Sequence, residues 1–224
     1  FLPLLAATAL PKVEAPATDA VPALTTLLNR QPTVEVLRAL SEYKSKAKPA
    51  LEALSQILSN QQLPTEVRWN AARTIGKIHA EAVDAVPLLV THLKDKESTI
   101  REHCAEALGD IGPGAKAAIP DLVDVLTDPF KRVRRDAVRS LRQVGPDAKQ
   151  ALPEIRKLVD DPEEMVRHAT KETLRALAPD EPIPPRKRQP PNQVKEGQKS
   201  PQTEETQPHD ASKKSSTTEK SNKK

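Results

Sequence analysis

Apolar residues return along this chain at helical spacing, and the whole pattern returns every 33 positions. Ile100, Cys104, Leu108 and Ile111 are four, four and three residues apart, which places them on one face of a helix. Gly112, Pro113 and Gly114 end that helix, glycine supplying the left-handed geometry of a helix terminus. A second helix is predicted from about Pro120, where a first-turn proline sacrifices no hydrogen bond. Its buried face is Ile119, Leu122, Val123 and Leu126. Asp128-Pro129 then restarts the cycle, with Asp128 expected as N-cap.

The step is regular. Val67, Ile100, Val133 and Val166 lie 33 apart, and each is followed by arginine: Arg68, Arg101, Arg134 and Arg167. Pro87, Pro120 and Pro153 keep the same step, as do Gly76 with Gly109 and Gly112 with Gly145. Core rows align as Ala71, Cys104, Ala137, Thr170 and as Ile75, Leu108, Leu141, Leu174. A fixed step of this size marks stacked units, each too small to bury its own apolar face. The expectation is therefore an all-α solenoid of stacked antiparallel helix pairs over residues 1–178. Pairs are predicted near 19–45, 47–78, 83–111, 116–144 and 149–178, after a half repeat at 1–14. The turn Asn60 to Thr65 is two residues longer than its counterparts.

The ends differ. Lys171 and Thr170 replace the small apolar residues of earlier repeats, as suits a terminal unit without a following neighbour. Phe1, Leu2, Leu4 and Leu5 show no such cap, so further repeats are expected before Phe1. FLPLLAATAL also reads as the end of a signal sequence, although it lacks a basic flank. Residues 179–224 contain one Ile and one Val as their only large aliphatics. They cannot bury enough apolar area to offset chain entropy, and a disordered tail is predicted.

Composition narrows the function. The net charge of +4 lies mostly in that tail, where 10 Lys/Arg face 7 Asp/Glu. The repeat region is nearly neutral, which argues against a general nucleic-acid surface. The single cysteine, Cys104, excludes an internal disulfide and a cysteine metal cluster. It falls on a core row, which argues against a nucleophile or a linking thiol. No run reaches the roughly 18 apolar residues that span a bilayer. No pair of the five histidines has metal-ligand spacing with a third ligand near. No cofactor is expected, and the compartment stays open between cytoplasm and export.

VRWNAARTIGKI, IREHCAEALGDIG and VRRDAVRSLRQVG, each preceded by a helix opened by proline and an Asp-containing turn, resemble HEAT repeats. They look most like the short HEAT-like units of phycobilin lyases. The resemblance covers about 1–178 and is strongest over 64–178. It implies a right-handed ARM/HEAT-like solenoid, commonly a scaffold or adaptor, sometimes a lyase, hydroxylase or glycosylase. HEAT hydroxylases that bind iron use repeated His-Glu pairs. Here there is one Glu102-His103, in reversed order, so hydroxylase activity is not implied. The resemblance also implies that Asp95, Asp128 and Asp161 form a ladder with Arg101, Arg134 and Arg167, six positions on in each case, linking neighbouring repeats.

Two further groups stand out. Arg132, Arg135, Arg139 and Arg142 are spaced three, four and three, so they share a helical stripe turned roughly 200° from the core stripe. The equivalent positions in adjacent repeats hold Glu102, Glu106 and Glu172, so inter-repeat pairing competes with an acidic partner for these arginines. Base-stacking aromatics are missing from the stripe, which argues against nucleic acid. Trp69, Glu102, Arg135 and His168 form a second row expected on the exposed ridge, where a tryptophan suits a binding hot spot, the alternative being partial cover of Trp69 by the long turn at 60–65. The expected function is a non-enzymatic scaffold that binds a protein or peptide along its second helices. The alternatives are a bilin-lyase-type accessory subunit and a nucleic-acid-binding repeat protein. PIPP (182–185) followed by Arg186-Lys187-Arg188 reads as a plain solvated linker, the alternatives being a proline-type ligand or a nuclear signal.

Overall fold

A computed structural model describes Ala6 and residues 9–186. The tail from 187 onward and most of the apolar N-terminal stretch lie outside the described residues. Within them the chain forms five antiparallel helix pairs: α1 (Ala17–Arg30) with α2 (Val34–Glu42), α3 (Leu51–Ser59) with α4 (Thr65–Lys77), α5 (Val86–His92) with α6 (Ser98–Ile111), α7 (Ile119–Asp124) with α8 (Lys131–Val144), and α9 (Leu152–Lys157) with α10 (Glu164–Leu177). No strand occurs among the described residues. From α3 onward the first helix of each pair is short and is led in by a tight 3₁₀ segment, such as Gly112–Ala118 before α7.

Even-numbered helices stack directly on one another: α4 on α6, α6 on α8 and α8 on α10. Small side chains permit this. Ala71, Cys104, Ala137 and Thr170 are fully buried, with Ile75, Leu108, Leu141 and Leu174 packed beside them. At two points the backbones touch. A Cβ on Gly76 would stand 2.9 Å from Ala107 Cα, and one on Gly109 would stand 2.9 Å from Ser140 Cα and 2.5 Å from its Oγ. Hydroxyls bridge three of the stacked pairs, α2 with α4, α6 with α8 and α8 with α10. Thr74 Oγ1 donates to Leu37 O (3.3 Å), Ser140 Oγ to Ala105 O (2.6 Å) and Thr173 Oγ1 to Val138 O (3.1 Å). The reach is 35 positions in the last two cases and 37 in the first. The difference is the longer turn after α3.

The second helices end in left-handed backbone at equivalent places: Lys44 (φ 50°), His79 (φ 58°), Gly112 (φ 75°) and Gly145 (φ 92°). With ψ at −138° and −148°, Gly112 and Gly145 occupy a region open essentially to glycine alone. Two expectations need correction. Asp128 is not the N-cap of α8. The helix starts at Lys131, and Asp128 Oδ1 accepts from Phe130 N at 2.8 Å, closing a turn ahead of it. Asp95 and Asp161 do the same with Glu97 N and Glu163 N, because proline or lysine fills the intervening position and the carboxylate reaches two residues on. Second, residues 179–186 were expected in the tail, yet Ile183 packs on the core and Glu181 pairs with Arg156.

Gly109→Ala is expected to destabilise by about 1–3 kcal/mol, because overpacking at Ser140 outweighs the gain in helix propensity. Gly145→Ala is expected to cost a similar ~1–3 kcal/mol from backbone strain alone, since no atom lies within 4 Å of its added Cβ. Urea denaturation of both variants measures these losses. Crystal structures should show α6 displaced from α8 only in Gly109→Ala.

Candidate functional site

The arginines that follow Val67, Ile100 and Val133 point into the seam between repeats. Arg68 Nη2 meets Asp95 Oδ2 at 2.6 Å, with both side chains almost wholly buried (3% and 6% exposed). Its Nε donates to Leu58 O at 2.9 Å. Arg101 grips Asp128 through two bonds (2.7 and 3.0 Å), and Arg134 grips Asp161 in the same way (2.8 and 3.0 Å). The fork geometry of the guanidinium matches a carboxylate. Each carboxylate contact therefore spans 27 positions, into the next repeat. The six-residue relation expected for Asp95/Arg101, Asp128/Arg134 and Asp161/Arg167 is made by the backbone instead. Arg101, Arg134 and Arg167 each donate Nη1 to the carbonyl of the preceding Asp (2.7–2.8 Å). One arginine thus clamps its own turn and the next. Arg101 also lies over the Phe130 ring, 5.4 Å from its centroid.

Asp95 gathers a second partner, His92, whose Nδ1 lies 3.4 Å from Oδ2. Burial pushes the His92 pKa down, against the pull of Asp95. The Asp95 carboxyl is held below its ordinary range: burial alone would raise it, but the Glu97 N–H and Arg68 prevail. Burial pushes the Cys104 thiol far up, so it stays protonated.

The two solvent-side rows come apart. Glu102, expected on the exposed ridge, is only 9% exposed. Arg135 of the next repeat folds over it (3.4 Å), and burial raises the Glu102 pKa. Arg135 is itself half-buried, gripped through two nitrogens by Asp136 (2.7 and 2.8 Å). That carboxylate raises its pKa. Trp69 is partly buried and stacks on His103, ring centroids 4.5 Å apart and planes 21° apart. Only His168 of that row is exposed. On α8, Arg132 and Arg139 are exposed and Arg142 is half-buried. Arg139 is 52% exposed and rests 3.6 Å from the buried Asp136. The flanking acids do not cross to it. Glu106 binds His103 (2.9 Å), which lowers its pKa, and Glu172 pairs with Arg175 on its own helix (2.5 Å). Composition alone could not rank these competing partners.

The helix pairs, their 33-residue step and the Arg–Asp seam meet in one sequence pattern: HEAT repeats match residues 51–142 and 119–185. The chain belongs to the HEAT-repeat family. Solved HEAT-like structures share its fold. One is an engineered protein, 23% identical, covering 78% of this chain and 89% of its own, with TM-score 0.58. Another is the complex of CpcE and CpcF of phycocyanin lyase from Nostoc sp. PCC7120, 22% identical, covering 71% and 65%, with TM-score 0.60. A second engineered protein, 25% identical, covers 71% and 48% with TM-score 0.55. No curated protein matches the sequence. Among the described residues of this HEAT chain no group of three His, Cys, Asp or Glu side chains is placed to hold a metal, and no helix is long and apolar enough to cross a membrane.

Asp161→Ala is expected to cost about 3–5 kcal/mol, because it strands the Arg134 guanidinium in the seam. Chemical denaturation of the variant checks this. The pH dependence has a definite sign. The folded state holds His92 below its ordinary value, so the unfolded chain binds more protons below about pH 6.5. Stability is therefore lost as pH falls through that value. A further loss follows below about pH 4, as Asp95 is protonated in the unfolded chain before the folded one. In urea midpoints measured against pH, His92→Gln should flatten the upper step and leave the lower one.

Proposed function

We propose that this HEAT chain is a non-enzymatic scaffold that binds an acidic segment of a partner protein along the outer face of its second helices. One observation carries the reading. Arg139 is exposed on α8, with Arg142 half-buried one turn on, while the acids beside them, Glu106 and Glu172, are engaged on their own helices. The buried Asp136 fixes Arg135 and steadies Arg139 from beneath, so the stripe is partly ordered before a partner arrives. Arg132 and His168 extend the contact on either side. Trp69, Glu102 and Arg135 act from behind it, through the Trp69–His103 stack and the Arg135–Glu102 bridge, which hold α4, α6 and α8 in register. Exposed charges of this kind steer encounter and set salt dependence. The near-neutral repeat region favours a protein over nucleic acid.

The test is a pull-down from source lysate with the full chain beside an Arg139→Glu, Arg142→Glu variant of unchanged helical circular dichroism. An acidic protein retained by the wild type should drop by about tenfold or more with the variant, as the loss of two charge-assisted contacts implies. Identical retention by both proteins would refute the ridge.

A further inference from the structure

A groove of about 370 Å³ lies between the ends of α2 and α4, away from the arginines of α8. Its floor and walls include Arg38, Ser41, Asn70, Arg73 and Thr74. Allowing for the longer turn after α3, Arg38 and Arg73 are equivalent positions of successive repeats. The next members of the row are Glu106, Arg139 and Glu172. Signs alternate there, whereas here two arginines stand side by side. Both are exposed. The acid nearest in register to Arg73 is Glu106, already bound to His103. Lys77 at the groove edge is bound to Asp110 (2.7 Å). Glu42 and Lys44 complete the rim, with His79, whose Nδ1 lies 3.1 Å from Asp110 O.

The floor chemistry discriminates between anions. Ser41 Oγ donates its proton to Arg38 O (2.7 Å), and Thr74 Oγ1 shares its one proton between Asn70 O (2.8 Å) and Leu37 O (3.3 Å). Both hydroxyl oxygens therefore present lone pairs to a ligand. Asn70 spends one N–H on Glu66 O (2.8 Å), leaving its Oδ1 and a second N–H, the pair that complements a peptide group. A phosphate brings mainly acceptors, and these meet oxygen lone pairs on this floor. A peptide brings N–H donors to the floor and carboxylates to the arginines.

We infer that this groove binds an extended peptide segment whose acidic side chains pair with Arg38 and Arg73 and whose backbone N–H groups meet the Ser41, Asn70 and Thr74 oxygens. The site rests on the scaffold reading and adds a second contact, at the other end of the same face. The probe is a short fluorescein-labelled peptide alternating serine and glutamate, titrated into the full chain by anisotropy. Saturable binding is expected, weakened about tenfold or more by Arg38→Glu, Arg73→Glu. It should be unchanged by Arg139→Glu, Arg142→Glu and not displaced by inorganic phosphate or oligodeoxythymidylate. Absence of saturable binding overturns the inference. So does displacement by phosphate or oligonucleotide, which marks a general anion surface. A loss that follows the α8 variant overturns the groove while sustaining the ridge. A pull-down lost only with the α8 variant, beside peptide binding lost only with Arg38→Glu, Arg73→Glu, sustains both.

Discussion

The structure depends on the charged seam between repeats. A helix pair of this size leaves one apolar side uncovered, and only the next pair can cover it. That demand sets no register on its own, since Ala, Val and Leu pack against Ala, Val and Leu in several ways. The arginine clamp sets it. Arg68, Arg101 and Arg134 each reach a carboxylate 27 positions on, and Arg101 and Arg134 also hold the carbonyl of the Asp six positions back. A slip by one turn would strand a nearly buried guanidinium beside an unpaired carboxylate, a penalty of several kcal/mol per seam. The pair at Arg68–Asp95 is the most enclosed, and there His92 is a second neighbour of the carboxylate.

The same economy shapes the surface. Acids that face the seam or a histidine are consumed by the fold, so sequence neutrality hides local imbalance. Arg139 is left toward solvent at one end, with Arg142 half-buried beside it, and Arg38 and Arg73 at the other. Between them, the Trp69–His103 stack and the Arg135–Glu102 bridge keep successive helices aligned. On the proposed scaffold reading, a partner would have to match both these charge clusters and their spacing. That is a demand for specificity more than for affinity.

Much of this was legible in the chain. The 33-residue step, the glycines at helix ends and the small-residue rows point to stacked helix pairs before any coordinates. The site was less legible. A row such as Trp69, Glu102, Arg135, His168 shares a sequence position, yet its members range from buried to exposed. The hydroxyl bridges from Thr74, Ser140 and Thr173 gave no signal, because serine and threonine in a helix read as polar filler. Arg38 escaped the arginine rows because the longer turn after α3 moved it out of step.

By itself the sequence determined the repeat, the helical faces and which residue types recur at each station, because helix periodicity and repeat length are properties of local order along one chain. The tertiary structure alone decided which acid each arginine takes. Arg101 bonds Asp128 and not the carboxylate of Asp95, and Arg135 covers Glu102 while Glu106 turns to His103. Partner choice depends on distances between helices far apart in sequence, and those distances are set by the close approach at Gly76 and Gly109. Where that approach brings no acid across from the next helix, as at Arg139, the guanidinium stays exposed.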